Sequence, residues 1–433
     1  MLSHEENRLL TQVGPEAPMG QLFRRYWIPV LASAELPEPD GAPVAVRILG
    51  EDLVAFRDTA GRVGLVDEAC PHRCTSLAYG LNAEHGLRCI YHGWKFDVEG
   101  RCVDLPSEPK DSRFREKIRL KAYPTVEAAG VVWAYLGPEE TKPPFPTFWW
   151  MTLPLENLAI ARVWQECNYA QVIENDLDFV HAAFLHRSYQ DRPIAPGLLS
   201  DDLGVNPSHP LLRNPPVKQF VQPTRYGQRC VAIGEAEAGE QAIMEIHYIF
   251  PFFTYPPRFP EEDGMWHAFV PRDDFSTWSW DVQFSNRGPI DVAAQHARRG
   301  LILDSSLKKL RNRDNHYQQD RQLMRTGNLS GMRGIATQDH AVTETMGPIV
   351  DRTREHLGTS DIPIIGMRKI LLDSVREFLR TGTPPYALHQ LPLERLYSRG
   401  VRTGWDQPWQ QASPVPPEFA ADEGSRLGRR ASQ

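Results

Sequence analysis

Apolar and polar positions alternate with a period near two through the first third of the chain. "PVAVRILGEDLVAFRD", "RVGLVDEAC", "LRCIYHGWKFD" and "GVVWAYLG" carry alternating or β-branched runs, with Gly, Asp and Asn between them. They predict an all-β module over residues 45–140, and the proline-dense "PEETKPPFPTFWW" beyond it predicts a linker. The period then lengthens, because apolar residues recur at helical spacing in "CNYAQVIENDLDFVHAAFLH". Strand-like runs return in "RCVAIGEAEA", "QAIMEIHYIFPFFTYP", "MWHAFVPRD" and "WSWDVQFS". Helical ones follow in "SSLKKLRNRDNHYQQDRQLM", "DHAVTETMGPIVDRTREHLG" and "IIGMRKILLDSVREFLRTG". The pattern is α+β: an N-terminal segment, 1–44, packing on the second domain; the β module, 45–140; a mixed second domain, 141–412; and a polar, disordered tail, 413–433. The Pro-rich stretch 191–225 has no periodicity and predicts a long loop over a pocket. No internal repeat is present.

A chain of 433 residues has length for two domains with a large core. A net charge of -7 without any Lys/Arg cluster excludes a nucleic-acid surface. The N-terminus lacks the charged start and apolar run of a secretory leader, and no apolar segment has the length of a membrane span, so the expected location is the cytoplasm. Six cysteines in this length are too few for a disulfide scaffold and read as metal ligands or buried thiols.

Three of those cysteines lie in "CPHRCTSLAYGLNAEHGLRCIYHGWKFD". Cys70 and His72 form C-x-H, sixteen residues intervene, and Cys89 and His92 form C-x-x-H. A structural zinc also accepts two Cys and two His, but zinc fingers usually take both cysteines from one turn and both histidines from another. Here each loop supplies one of each. That suits two sulfide-bridged irons, one held by thiolates and the other by imidazoles, which is the Rieske arrangement. Pro71, Gly93 and Trp94 fit as turn and packing residues. Cys74 and Cys102 fall outside the pattern and are expected to be buried thiols.

A second constellation lies in "QVIENDLDFVHAAFLH". Glu174, Asp178 and His181 are four and three residues apart and share one face of a continuous helix. His186 is five residues beyond His181, so the helix must bend or end between them if both are to reach one metal. Two His and one carboxylate with open positions opposite form the facial triad of non-haem iron(II) oxygenases. "IATQDHAVTETMGPIVDR" offers Asp339 or Glu344 as the third ligand, and spacing leaves both open. A helix cap is the alternative for Asp339.

With "YWIPVL", "PSEP", "QDRQLM" and "IIGMRKILL", these motifs resemble, in order, the oxygenase (alpha) component of Rieske non-haem iron aromatic-ring-hydroxylating oxygenases. The likeness is to the branch of phthalate 4,5-dioxygenase and 3-chlorobenzoate dioxygenase, over roughly residues 5–400. It implies a Rieske iron-sulfur domain followed by a helix-grip catalytic domain of antiparallel sheet and long helices. By resemblance Cys70 and Cys89 bind one iron of a 2Fe-2S cluster and His72 and His92 the other. His181, His186 and Asp339, favoured over Glu344, bind a mononuclear Fe(II). Asp178 would orient His181 and reach His92 of the partner subunit, which requires a homo-oligomer, a trimer or two stacked trimers.

The resemblance further implies a flavin and iron-sulfur reductase passing NADH electrons, with dioxygen and a small aromatic substrate as reactants. Hydroxylation, in the form of cis-dihydroxylation of a carboxylated ring, is the expected reaction. O-demethylation or monooxygenation of an aryl ether is the alternative, ahead of a Rieske-type electron carrier or a zinc-stabilised module. Arg187, just after the second histidine, is expected to be exposed. One departure is Cys74, where the branch more often has Gly.

Overall fold

The structure, a computed structural model, describes residues 1–109, 111–187, 214–237, 239–260 and 263–421. They form two compact units, one of Gln12–Pro146 with Val270–Asp274 and one of Met1–Thr11, Thr147–Phe269 and the chain from Phe275. Only the first eleven residues of the expected 1–44 segment therefore join the second unit. Residues 12–44 belong to the β unit, where Trp27–Ala32 pairs with Val131–Tyr135.

The β unit holds three small antiparallel sheets. One is Trp27–Ala32, Val131–Tyr135 and Thr125–Ala128, and another is Val44–Ile48, Glu51–Arg57, Val63–Asp67 and Ala122–Tyr123. The third, Leu81–Ala83, Gly86–Arg88, Lys95–Phe96 and Cys102–Asp104, carries one of the metal-ligand loops between its second and third strands. Alternation along these strands sends Val54, Phe56, Val66, Leu87 and Phe96 into one core together with Cys70, Cys89 and Trp94.

The second unit is built on an eight-stranded sheet in the order Leu158–Gln165, Ser276–Phe284, Gly264–Asp273, Phe253–Tyr255, Glu240–Ile249, Gly227–Glu235, Lys218–Thr224, with Gly400–Gly404 also beside Glu240–Ile249. Because neighbours along a strand point to opposite faces, its two faces differ in chemistry. One meets helices Tyr169–Leu177, Ile335–Thr345 and Ile362–Thr381 through Thr254 and His267 on Asp176, Gln165 on Thr343, and Gln228 on the Pro363 carbonyl. The other is aromatic: Phe253 and Trp266 pack on Phe148, Trp150 packs on Trp266, and Trp149 packs on Phe284. The end of the predicted linker is thus core, since Phe148 and Trp150 are fully buried. Helix Ile362–Thr381 buries Ile364, Met367, Leu371, Leu372, Val375 and Phe378, a stripe at helical spacing, and stops at Gly382 in the left-handed region, φ 71°.

Three further expectations need correction. Within 305–324 the chain forms turns at Arg313–Gln318 and one short helix, Leu323–Thr326, not a continuous helix. Leu307, Leu310, Tyr317 and Met324 keep helical spacing, but Leu310 is exposed, and Leu307, His316, Tyr317 and Gln318 take positive φ as the Tyr317 hydroxyl turns in to donate to Glu344. Of the stretch 191–225, residues up to 213 lie outside the described ones, while Lys218–Thr224 is a strand. In the expected tail, Ser413 and Phe419 are buried and Arg225 N–H donates to the Phe419 carbonyl; residues 422–433 lie outside the described ones. Among the described residues no helix is long and apolar enough to cross a membrane.

Candidate metal centres

The loops 70–75 and 89–94 are copies of one turn. The amides of Cys74 and Gly93 donate to the carbonyls of Cys70 and Cys89, and the amides of Cys70 and Cys89 donate to the carbonyls of Thr75 and Trp94. Both turns close through a left-handed residue, Cys74 at φ 60° and Gly93 at φ 75°. A Cβ at Gly93 would also lie 2.7 Å from Pro106. Cys102 is buried as expected, but Cys74 is exposed, because the turn points its side chain outward at a position glycine would suit better.

The turns bring Cys70, Cys89, His72 and His92 together, with the two imidazole centroids 4.3 Å apart and Trp94 stacked on His72 at 4.5 Å and 11°. Burial, followed by the nearby Cys89 sulfur, pushes the Cys70 thiol up to about 11, so deprotonation there calls for a bound cation. Burial, with the charges of His72 and Arg73, lowers the pKa of His92 and favours the neutral imidazole a metal needs. The Nδ1 atom of His72 is buried without a hydrogen-bond partner. A donor set of two thiols and two imidazoles, with one imidazole nitrogen orphaned, fits an iron-sulfur cluster.

In the second unit Asn168 caps helix Tyr169–Leu177, and the chain breaks at Asp178, which leaves helical geometry at φ -83° and ψ 106°. Its carboxylate caps a second helix, Phe179–Leu185, by accepting from Val180 N–H at 2.7 Å. His186 follows that helix immediately, so the required helix end does lie between the two histidines. Asp339 sits inside helix Ile335–Thr345 rather than at its cap.

These elements bring His181 Nε2 to 3.1 Å from His186 Nε2 and 3.5 Å from Asp339 Oδ1, with His186 Nε2 at 3.1 Å from the same oxygen. Metal–ligand bonds of about 2.1 Å at near right angles would place neighbouring donors about 3 Å apart. The three are the group of His, Cys, Asp and Glu side chains among the described residues whose ligand atoms fall within 4.8 Å of one another. Each Nδ1 has an oxygen partner, the Asp178 carbonyl at 2.5 Å for His181 and Gln338 Oε1 at 2.6 Å for His186. Those bonds leave each Nε2 lone pair facing the centre. Burial disfavours charge on His181 and Asp339, but their mutual attraction outweighs it. His181 rises to about 8, and Asp339, beside His186 and His181, stays well below the usual carboxylate range. The donor set fits one divalent iron.

Three carboxylates differ from what the spacing implies. The break at Asp178 takes Glu174 off the His181 face, and Glu174 is instead held by Arg352 at 2.8 Å and Arg368 at 2.7 Å. Glu344 is bound by Lys309 at 2.7 Å and Tyr317 at 2.6 Å, away from the triad. Asp178 orients His181 through its main-chain carbonyl, so its carboxylate has a separate task. Arg187 is exposed. Two supporting side chains were not anticipated: Gln338, whose own amide is fixed by the Met332 carbonyl, and Asn175, which donates to Asp339 at 3.1 Å. Their only trace in the sequence is adjacency, Gln338 to Asp339 in "TQDH" and Asn175 to Glu174 in "IEND".

Residues 26–124 match the Rieske [2Fe-2S] domain family, and residues 134–398 match the family described as LigXa C-terminal domain like. The phthalate 4,5-dioxygenase oxygenase subunit of Pseudomonas putida is 38% identical over 87% of this chain and 87% of its own length. The 3-chlorobenzoate-3,4-dioxygenase oxygenase subunit of Comamonas testosteroni is 34% identical over 94% of this chain and 98% of its own. Among solved structures, the terminal oxygenase of carbazole 1,9a-dioxygenase from Nocardioides aromaticivorans IC177 has the same fold, with a TM-score of 0.57 at 20% identity over 86% of this chain and 97% of that one. Two cysteine–histidine turns in a Rieske domain, a His-His-Asp triad in the second unit and relatives matched nearly end to end have one reading: this chain belongs to the Rieske non-haem iron oxygenases, as their oxygenase component.

Proposed function

We propose that Cys70, His72, Cys89 and His92 hold the 2Fe-2S cluster, that His181, His186 and Asp339 hold the mononuclear iron, and that the substrate is a carboxylated aromatic ring that is cis-dihydroxylated. The observation that carries this reading is the convergence of His181, His186 and Asp339, with both imidazoles oriented by oxygen acceptors. When bound, the cluster stores single electrons and the iron activates dioxygen. The chain's residues fix ligand orientation: the Asp178 carbonyl and Gln338 set the imidazoles, and Asn175 steadies Asp339. The substrate class is supported by the two long relatives, named for phthalate and 3-chlorobenzoate. Purified protein with a flavin and iron-sulfur reductase, NADH and labelled dioxygen should convert phthalate, 3-chlorobenzoate or 3-methoxybenzoate to a diol carrying both labelled atoms. Formaldehyde with one labelled oxygen would establish O-demethylation instead, and no turnover of any of the three would sink the reading.

Asp178 would link the two centres across a subunit boundary in a trimer or in stacked trimers. One carboxylate oxygen caps Val180, and the other has no partner among the described residues. His92 stands beside the exposed Ile90 and Tyr91, side chains suited to burial against another subunit. Asp178→Asn should retain both metals yet slow oxidation of the reduced cluster and steady-state turnover by roughly 10–100-fold. Stopped-flow absorbance of the cluster, with iron and sulfide counts, checks this, and an unchanged rate would remove the bridge.

A further inference from the structure

Against the expectation of no Lys/Arg cluster, "RFREKIRLK", residues 113–121, sets five cations and one acid in nine residues of a chain whose net charge is -7. Two of the five are neutralised, Arg113 by Glu116 at 2.9 Å and Lys121 by Glu51 at 2.5 Å. Arg115, Lys117 and Arg119 are exposed and pair with no carboxylate among the described residues. Arg115 and Arg119 donate instead to main-chain carbonyls, of Val103 at 3.1 Å and of Glu99 at 3.4 Å, which fixes their stems and leaves their charge unquenched.

The same turn, Phe114–Lys117, starts with an aromatic ring that leads inwards. Phe114 is 41% exposed, and its ring meets Trp94 edge-on, with centroids 6.1 Å apart at 77°. Trp94 is buried, is held through Nε1–H on Ser107 Oγ at 3.1 Å, and stacks on His72. Two ring contacts therefore join the surface to one imidazole of the cysteine–histidine turns. Val103, whose carbonyl anchors Arg115, adds a second exposed apolar side chain. Ile90 and Tyr91 belong to the other imidazole, His92, so the two histidines are approached by different surface residues.

We propose that Phe114, with Arg115, Lys117 and Arg119 about it, is the docking face for the acidic iron-sulfur domain of the reductase, and that electrons enter on the His72 side. This rests on the reading of Cys70, His72, Cys89 and His92 as cluster ligands. In each encounter one electron leaves the reduced iron-sulfur centre of the reductase and is gained by the oxidised cluster of this chain, with no bond made or broken. Unpaired cations on an otherwise acidic protein steer an acidic partner: it is repelled over most of the surface and attracted here. An exposed aromatic with a charged rim is the composition of an interface core. Three free cations suit a small, transient, salt-sensitive contact between proteins and are too few for a nucleic-acid backbone.

The test mixes the holoenzyme anaerobically with NADH and the flavin and iron-sulfur reductase of the turnover assay. Stopped-flow absorbance follows cluster reduction, and calorimetry measures binding of the two proteins. At low salt, Arg115→Glu/Lys117→Glu/Arg119→Glu should weaken binding and slow reduction roughly 10–100-fold. Lys117→Glu, which breaks no side-chain hydrogen bond, should act in the same direction by roughly 2–5-fold. Reduction of the wild type should slow as salt rises, while that of the triple variant should not. Phe114→Ala should weaken binding and leave the salt dependence intact. Dithionite should bleach every variant to the same extent, with iron, sulfide and oligomeric mass unchanged. Lys218→Glu/Arg298→Glu/Arg395→Glu, an equal charge change on exposed residues of the second unit, should stay near wild type. Equal losses in the two triple variants, wild-type reduction in the first, or a changed oligomeric mass, which would put a second copy on this face, would overturn the assignment. A wild type without sulfide, or one that the reductase does not reduce, would instead overturn the cluster reading, and this assignment with it.

Discussion

Asp339→Ala is expected to empty the mononuclear site while leaving the cluster's colour and sulfide content unchanged. Asp339 Oδ1 is the one anionic donor of the triad, at 3.1 Å from His186 Nε2 and 3.5 Å from His181 Nε2. Two neutral imidazoles alone hold a divalent iron weakly, and among the described residues no other carboxylate is grouped with them. Glu344 is locked by Lys309 and Tyr317, and Glu174 by two arginines. Bound iron should therefore fall by about one atom per chain, and oxygen incorporation should fall to background. Cys70, His72, Cys89 and His92 are in the other compact unit, so the cluster should still be reduced by the reductase. Full iron retention, measured by elemental analysis and by electron paramagnetic resonance, would remove Asp339 from the ligand set.

Glu174→Gln should be the most damaging single change to stability outside the ligands. The carboxylate is shared by Arg352, whose side chain is fully buried, and by Arg368, at 5% exposure. Removing the charge leaves two buried guanidinium groups only partly compensated, by Asn7 for Arg352 and by Glu355 for Arg368. The expected loss is roughly 3–5 kcal/mol. Burial alone would raise the Glu174 pKa, but Arg352 and then Arg368 outweigh it and hold it below the ordinary carboxylate value. Its contribution is therefore present above the unfolded carboxylate pKa and is lost as pH falls through the lower folded value. Guanidinium unfolding followed by tryptophan fluorescence should show the loss at neutral pH and a smaller difference in acid. Adding Arg352→Met should cost less than the two single changes summed, because it removes one stranded cation. Additive losses would mean that the pair is not coupled.

How far these features were legible depended on whether a residue's partner was close in sequence. The cluster turns could be read because each is a local loop whose ligands are two or three residues apart. His181 and His186 could be read because one helix end decides whether both can turn inward. Glu174 could not, since its partners lie 178 and 194 residues on and only the tertiary fold selects them. Asp178 was read as a side-chain partner of His181, but an aspartate at a helix start favours capping and leaves its carbonyl to the imidazole. The stretch 305–324 reads as helical, yet the Tyr317 hydroxyl finds Glu344, 27 residues on, and that contact, invisible in the local pattern, turns the backbone out of helix. The Asp176 contacts could not be read either, since Thr254 and His267 lie 78 and 91 residues on and meet it only in the tertiary fold.

The first helix, His4–Thr11, belongs with residues synthesised far later. Leu10 and Thr11 offer their carbonyls to Tyr169 and Asn168, and Asn7 bonds Val350 and Arg352. Nearly the whole cluster unit is spliced in between. At ribosomal speeds of roughly 5–20 residues per second, the helix waits on the order of tens of seconds for its last partners. Order of birth and order of assembly therefore differ: the electron-storing half emerges nearly complete before the oxygen-activating half has received Asp339, the carboxylate that meets its two histidines.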